Sequence, residues 1–166
     1  MELVLFIGLQ GSGKSSFYRE RFAATHVHVS KDLWPNARKR EARQRRLIAQ
    51  ALAEGRSVVV DNTNPRVEDR EPLIAIGREH GARVVGYAFE SDLEACLARN
   101  AKRVGRARVE DKAIHITRGN LRWPSPAEGF DELFHVRLDP EGGFHVRKWR
   151  KDDEPERVST TPTCWG

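Results

Sequence analysis

A chain of 166 residues, 39% apolar and 32% charged, suits one soluble domain with a core of its own. No apolar stretch approaches the length of a membrane helix, and the two cysteines, Cys96 and Cys164, form neither a metal-ligand spacing nor a disulfide scaffold. The net charge of +5 fits a polyanionic partner, although charge of this size does not identify one.

Predicted β and α segments alternate along the chain. The apolar run Leu3–Ile7 predicts a buried strand over 2–7, entered at once from Met1, so no signal or transit peptide is expected and a cytoplasmic protein is the simplest reading. The segment Gly8-Leu9-Gln10-Gly11-Ser12-Gly13-Lys14-Ser15 follows and fits the G-x-x-x-x-G-K-[ST] phosphate-binding loop without gap or substitution. A helix over 14–24, with Phe17 and Phe22 inward, completes the strand–loop–helix order that this loop requires. A strand is expected at 26–29, a strongly basic helix at 36–54 and an apolar strand at 57–61. A helix lies somewhere within 66–80, where Pro72 would interrupt it if it began early. A strand at 82–88 and helices at 91–102 and 110–122 come next, then a loop at Trp123-Pro124-Ser125-Pro126. Strands at 132–138 and 144–149 are joined by the turn-rich Asp139–Gly143 segment. Lys151 onwards has little to bury and reads as a mobile tail, giving a domain over 1–150 and a tail over 151–166.

The loop carries a chemistry that can be argued residue by residue. Gly8, Gly11 and Gly13 let the backbone curl so that its N–H groups, with that of Ser12, face phosphate oxygens at a helix N-terminus. Lys14 can reach the β- and γ-phosphates of a nucleotide such as ATP, and the Ser15 hydroxyl can ligate Mg²⁺. The strand at 57–61 ends in Asp61, on the sheet edge where the terminal phosphate and Mg²⁺ would sit, and Asn62-Thr63-Asn64-Pro65 turns the chain there.

Asp32 follows the second strand at the same edge, where a carboxylate could take the proton of an attacking hydroxyl or simply cap a helix. The next helix carries Arg38, Lys39, Arg40, Arg43, Arg45 and Arg46, which suit either solvent or a nucleic-acid backbone. Arg99, Lys102, Arg103, Arg106 and Arg108 form a second basic cluster running into a Gly105-bearing loop, like the arginine-bearing lid of phosphoryl-transfer enzymes. The six histidines show no metal spacing on an evident helix, and no role is assigned to them.

With these residues placed, the chain resembles the kinase module of polynucleotide kinases, within the small phosphate-loop kinases. The matching segments are Gly8–Ser15, His28-Val29-Ser30-Lys31-Asp32, Asp61-Asn62-Thr63-Asn64-Pro65, Arg99-Asn100-Ala101-Lys102-Arg103 and Pro126-Ala127-Glu128-Gly129-Phe130, spread over about residues 1–138. The resemblance implies a P-loop kinase fold, an α/β parallel sheet flanked by helices with an arginine-bearing lid and a C-terminal hairpin. It implies transfer of the γ-phosphate of ATP, with Mg²⁺, to the 5′-hydroxyl of DNA or RNA. It assigns the general base to Asp32 and a phosphate-contacting lid arginine to Arg103, with Arg99 beside it. Asp61 and Asn64 go to the acceptor side.

One position departs from a phage relative, in which an arginine three residues after the base holds the acceptor phosphate. Here that position is Pro35, leaving Arg38, Lys39 or Arg40 to serve. The chain has no Asp-x-Asp-Gly-Thr phosphatase motif, so in end repair other proteins would be expected as partners for those steps. Two further readings use the same loop: a kinase of small metabolites, and a nucleotide-gated binding protein in which Asp32 has no task.

Overall fold

The central apolar strand is covered on both sides, and this sets the architecture. In the computed structural model, which describes residues 1–153, the elements run β1 (Glu2–Ile7), α1 (Lys14–Arg21), β2 (Val27–Val29), α2 (Arg40–Ala53), β3 (Val58–Val60) and α3 (Val67–Glu79). They continue as β4 (Arg83–Phe89), α4 (Leu93–Ala101), α5 (Asp111–Asn120), β5 (Glu132–Leu138) and β6 (Phe144–Lys148). The six strands form one sheet in the order β2-β3-β1-β4-β5-β6. The first five are parallel, and β6 returns antiparallel along β5 with Phe144 opposite Leu138.

Residues 3–7 have zero exposure because their alternating side chains enter two different cores. Leu3, Leu5 and Ile7 pack with Ile48 and Leu52 of α2 and with Leu73 and Ile74 of α3. Val4 and Phe6 pack on the opposite face with Phe17, Tyr18 and Phe22 around α1. A smaller cluster of Leu9, Cys96 and Ile114 ties the loop after β1 to α4 and α5. β1 lies between β3 and β4, and the chain builds β2 and β3 on one side of it before crossing to β4 on the other, the strand order that places ligands at the carboxyl ends of such sheets.

The α/β sheet flanked by helices and the C-terminal hairpin are as expected, and most element ends lie within two or three residues of their sequence-based positions. Two elements differ for identifiable reasons. α2 begins at Arg40 rather than 36, because Lys39 takes a left-handed backbone conformation (φ 55°) that a helix interior cannot contain. Arg38 and Lys39 therefore belong to the turn before the helix. α3 runs through Pro72, which lies in its second turn and removes only one helical hydrogen bond. The Asp69 carboxylate accepts from the Arg66 N–H at 3.0 Å at the start of this helix, and buried Arg70, Leu73, Ile74 and Gly77 hold its inner face. At the C-terminus, Lys151–Asp153 form a short turn in which Asp153 pairs with Arg147 at 2.6 Å. The rest of the proposed tail lies outside the described residues.

Candidate active site

The phosphate loop sits where β1 ends, and its shape depends on two contacts that leave no room for side chains. A Cβ on Gly8 would lie 2.9 Å from Cβ of Phe89, and one on Gly11 would lie 2.8 Å from the backbone oxygen of Cys96. Gly11 also has φ +82°, so the turn demands glycine there twice over. The Gly8 N–H donates to the Thr63 carbonyl at 3.0 Å, and the Leu9 N–H donates to Ser91 Oγ at 3.1 Å. The Lys14 ammonium turns back onto the loop, donating to the Gly8 carbonyl at 2.9 Å and the Leu9 carbonyl at 2.6 Å. Burial lowers its pKa to about 8; nearby Asp61 and, less strongly, Asp32 oppose that shift, whereas Arg103 adds to it.

The donors suit a phosphate chain. Ser12 is 1% exposed, and its Oγ has no hydrogen-bond partner among the described residues. It lies in a loop whose two other demands, a left-handed glycine and a buried ammonium, also serve an anion. Residues that could hold Mg²⁺ are likewise adjacent. The Ser15 hydroxyl donates to Asp61 Oδ2 at 2.9 Å, an all-oxygen pair of the kind this cation takes beside phosphates and water. No cluster of three or more His, Cys, Asp or Glu able to hold a metal occurs among the described residues.

Asp32 stands in a short turn, Lys31–Leu33, and is exposed. The turn is fixed from two sides. Ser30 Oγ accepts from the Asp32 N–H at 3.3 Å, and Asn62 Oδ1 accepts from the Lys31 N–H at 2.9 Å. Asn62 in turn donates to buried Gln44 of α2 at 2.5 Å. The segments ending β2 and β3 are thereby fastened together, and Asp32 and Asp61 share one edge of the sheet.

The remaining predicted residues fall into distinct places. Arg38, Lys39, Arg40, Arg43, Arg45 and Arg46 are all exposed, so the basic surface is real, although Arg43 lies over the Trp34 ring at 4.8 Å. Arg99 donates to the Gly11 carbonyl, which makes it a brace of the phosphate loop in this conformation. Arg103 is half-buried and donates to the Ala107 carbonyl at 3.3 Å, within the segment between α4 and α5. Asn64, expected on the acceptor side, is tied into the scaffold. It is 5% exposed, has φ 42°, and donates its amide to the Phe6 carbonyl at 2.8 Å. Its buried amide joins the turn after β3 to β1.

Sequence reasoning passed over several residues that shape the site. His28 contacts Asp61 Oδ2 through Nε2 at 2.9 Å. Gln10 of the loop donates to Thr117 of α5 at 3.0 Å, joining the loop to that helix. Asn62 and Gln44 form the bridge above. His28, Gln10 and Asn62 lay inside quoted motifs, and that was their only signal; Gln44 and Thr117 lay outside them and left none.

Comparison with known proteins agrees with this geometry. A family model described as an AAA domain matches residues 3–122. A protein of Acanthamoeba polyphaga mimivirus carrying a bifunctional polynucleotide phosphatase/kinase name is 30% identical over 140 residues, 80% of this chain and 32% of that protein. The bifunctional polynucleotide phosphatase/kinase of Schizosaccharomyces pombe is 25% identical over 139 residues, 81% of this chain and 33% of that protein. The chain thus spans about a third of the length of these curated relatives. Among solved structures, a sugar kinase from Janibacter sp. HTCC2649 superposes with a TM-score of 0.63 at 19% identity, covering 85% of this chain and 88% of that one, a likeness of fold.

Proposed function

We propose that this chain, which belongs to the AAA domain family, is a P-loop kinase that transfers the γ-phosphate of ATP to the 5′-hydroxyl end of a DNA or RNA strand. The observation that carries the reading is the placement of Asp32. The Asn62 bridge holds its turn at the sheet edge that bears the phosphate loop. A basic, exposed stretch beginning at Arg38 follows directly. A small neutral substrate has no use for such a stretch, whereas a phosphodiester backbone does. The two polynucleotide phosphatase/kinase relatives, matched over four-fifths of the chain, support the same substrate class.

On this reading the loop of Gly8–Ser15 holds the triphosphate, and Lys14 leaves the loop carbonyls for the β- and γ-phosphates. Mg²⁺, held by Ser15 with Asp61 alongside, supplies charge neutralisation at the phosphates when bound. Asp32 orients the 5′-hydroxyl and accepts its proton as the oxygen attacks the γ-phosphorus in line. The bond from that phosphorus to the β–γ bridging oxygen breaks, and ADP leaves. Arg103 leaves the Ala107 carbonyl as the lid closes and offsets charge on the transferring group. Arg38, Lys39 and Arg40 steady the strand behind its end.

The test is transfer of labelled γ-phosphate from ATP to short 5′-hydroxyl DNA and RNA strands, set beside a panel of sugars and nucleosides. Labelled strands are the expected product. Label on a metabolite with none on either strand would overturn the polynucleotide reading and leave a small-molecule kinase.

A further inference from the structure

Asp61 is a buried carboxylate, 3% exposed, and a buried carboxylate needs donors. Its backbone is fixed by donation of its N–H to the Val29 carbonyl at 2.8 Å. Two side chains meet the same carboxylate oxygen, Oδ2: the Ser15 hydroxyl at 2.9 Å and His28 Nε2 at 2.9 Å. A carboxylate accepts, so the Nε2 of His28 carries the proton in this contact.

The two donors are not equivalent. Ser15 is the residue that would turn its oxygen to a nucleotide-bound cation, and in doing so it releases Asp61. His28 has no such second task, and it is clamped. Its ring stacks on Tyr18 at 4.0 Å with an interplanar angle of 14°. The Tyr18 hydroxyl donates to the His26 carbonyl at 2.7 Å, two residues back on the same segment. Tyr18 lies one turn along α1 from Ser15. The contacts thus close a ring, from α1 to His28 at β2, to Asp61 after β3, and back to α1.

We infer that His28 is a positioning residue that keeps Asp61 aimed at the cation site once the Ser15 hydroxyl has turned away. The inference rests on the reading of Ser15 and Asp61 as the Mg²⁺-bearing pair, but not on the identity of the phosphate acceptor. His28 is tied to Asp61 across 33 residues of chain, and Tyr18 is its backing.

The test is binding of a fluorescent ATP analogue to the full chain while Mg²⁺ is titrated, with no acceptor present. His28→Leu removes the donor. His28→Gln restores an amide N–H near the Nε2 position, and His28→Asn keeps a polar group too short to reach it, covering the case in which the leucine variant does not fold. The Mg²⁺ concentration for half-maximal tightening is expected to rise about tenfold or more in the leucine and asparagine variants and to stay near wild type in the glutamine variant. Affinity for the analogue in EDTA is expected to be unchanged in all three. Wild-type behaviour in the leucine and asparagine variants, equal damage in the glutamine variant, or no effect of Mg²⁺ on the wild type would each overturn the inference. Because no acceptor is present, such a failure is distinct from failure to phosphorylate a strand.

Discussion

Arg70 and Glu128 form a buried, two-pronged ion pair: Nε meets Oε1 at 2.8 Å and Nη2 meets Oε2 at 3.2 Å. Arg70 is fully buried, and its third donor, Nη1, reaches the Asn64 carbonyl at 2.9 Å. Glu128 also accepts from the Ser125 N–H at 2.8 Å. Two of the motif-like segments, 61–65 and 126–130, are therefore one structural unit. The second shapes no part of the phosphate loop directly, but it holds the first in place from beneath.

Glu128→Ala leaves the Arg70 guanidinium buried without its carboxylate, and the expected cost is about 3–5 kcal/mol. Glu128→Gln, which keeps an acceptor, is expected to cost less. Urea unfolding of both variants checks this. A loss within experimental error for the alanine variant would show that the pair is not what secures the loop.

The phosphate loop offers a contrast between two glycines. Gly11→Ala meets both a positive φ and the Cys96 carbonyl at 2.8 Å, so strain of about 1–3 kcal/mol and a displaced α4 are expected, with weakened nucleotide binding. Gly119, inside α5, has no neighbour within 4 Å of a built Cβ, and Gly119→Ala is expected to stabilise by about 0.5–1 kcal/mol. Thermal midpoints of opposite sign are the predicted result. Midpoints that move together would remove the steric argument for Gly11.

The basic stretch before and along α2 predicts a salt signature. If Arg38 and Arg40 each neutralise one phosphate of a single strand, the slope of log binding constant against log salt falls by about 1.4 in the Arg38→Ala/Arg40→Ala double variant. Titrations of a fluorescent oligonucleotide at several salt concentrations measure it. An unchanged slope would take these two residues off the strand's path.

The strand–loop–helix core was legible in the sequence because its signals are local. The apolar run of β1, the glycine spacing and the inward Phe17 all fall within about twenty residues, and the structure repeats them. The start of α2 was not legible, since nothing marks Lys39 as the residue that turns left-handed. Asn64 was read as a site residue from its motif, and the bond of its amide to β1, 58 residues away in sequence, had no local signal. His28 was passed over for the same physical reason. Its partner Asp61 comes from another strand, and only the parallel pairing of β2 with β3 makes them neighbours. Fold followed from local pattern, whereas the supports of the site follow from register between strands.

The account turns on Asp32 as the group that takes the proton from the acceptor. The measurement that reaches this most directly compares wild type and Asp32→Asn for γ-phosphate transfer to a 5′-hydroxyl strand, with ATP affinity determined on the same preparations. The predicted result is loss of transfer by at least about a hundredfold with ATP affinity little changed. Near-normal transfer by the asparagine variant would contradict the account, because the proton would then be leaving by a route that does not pass through Asp32.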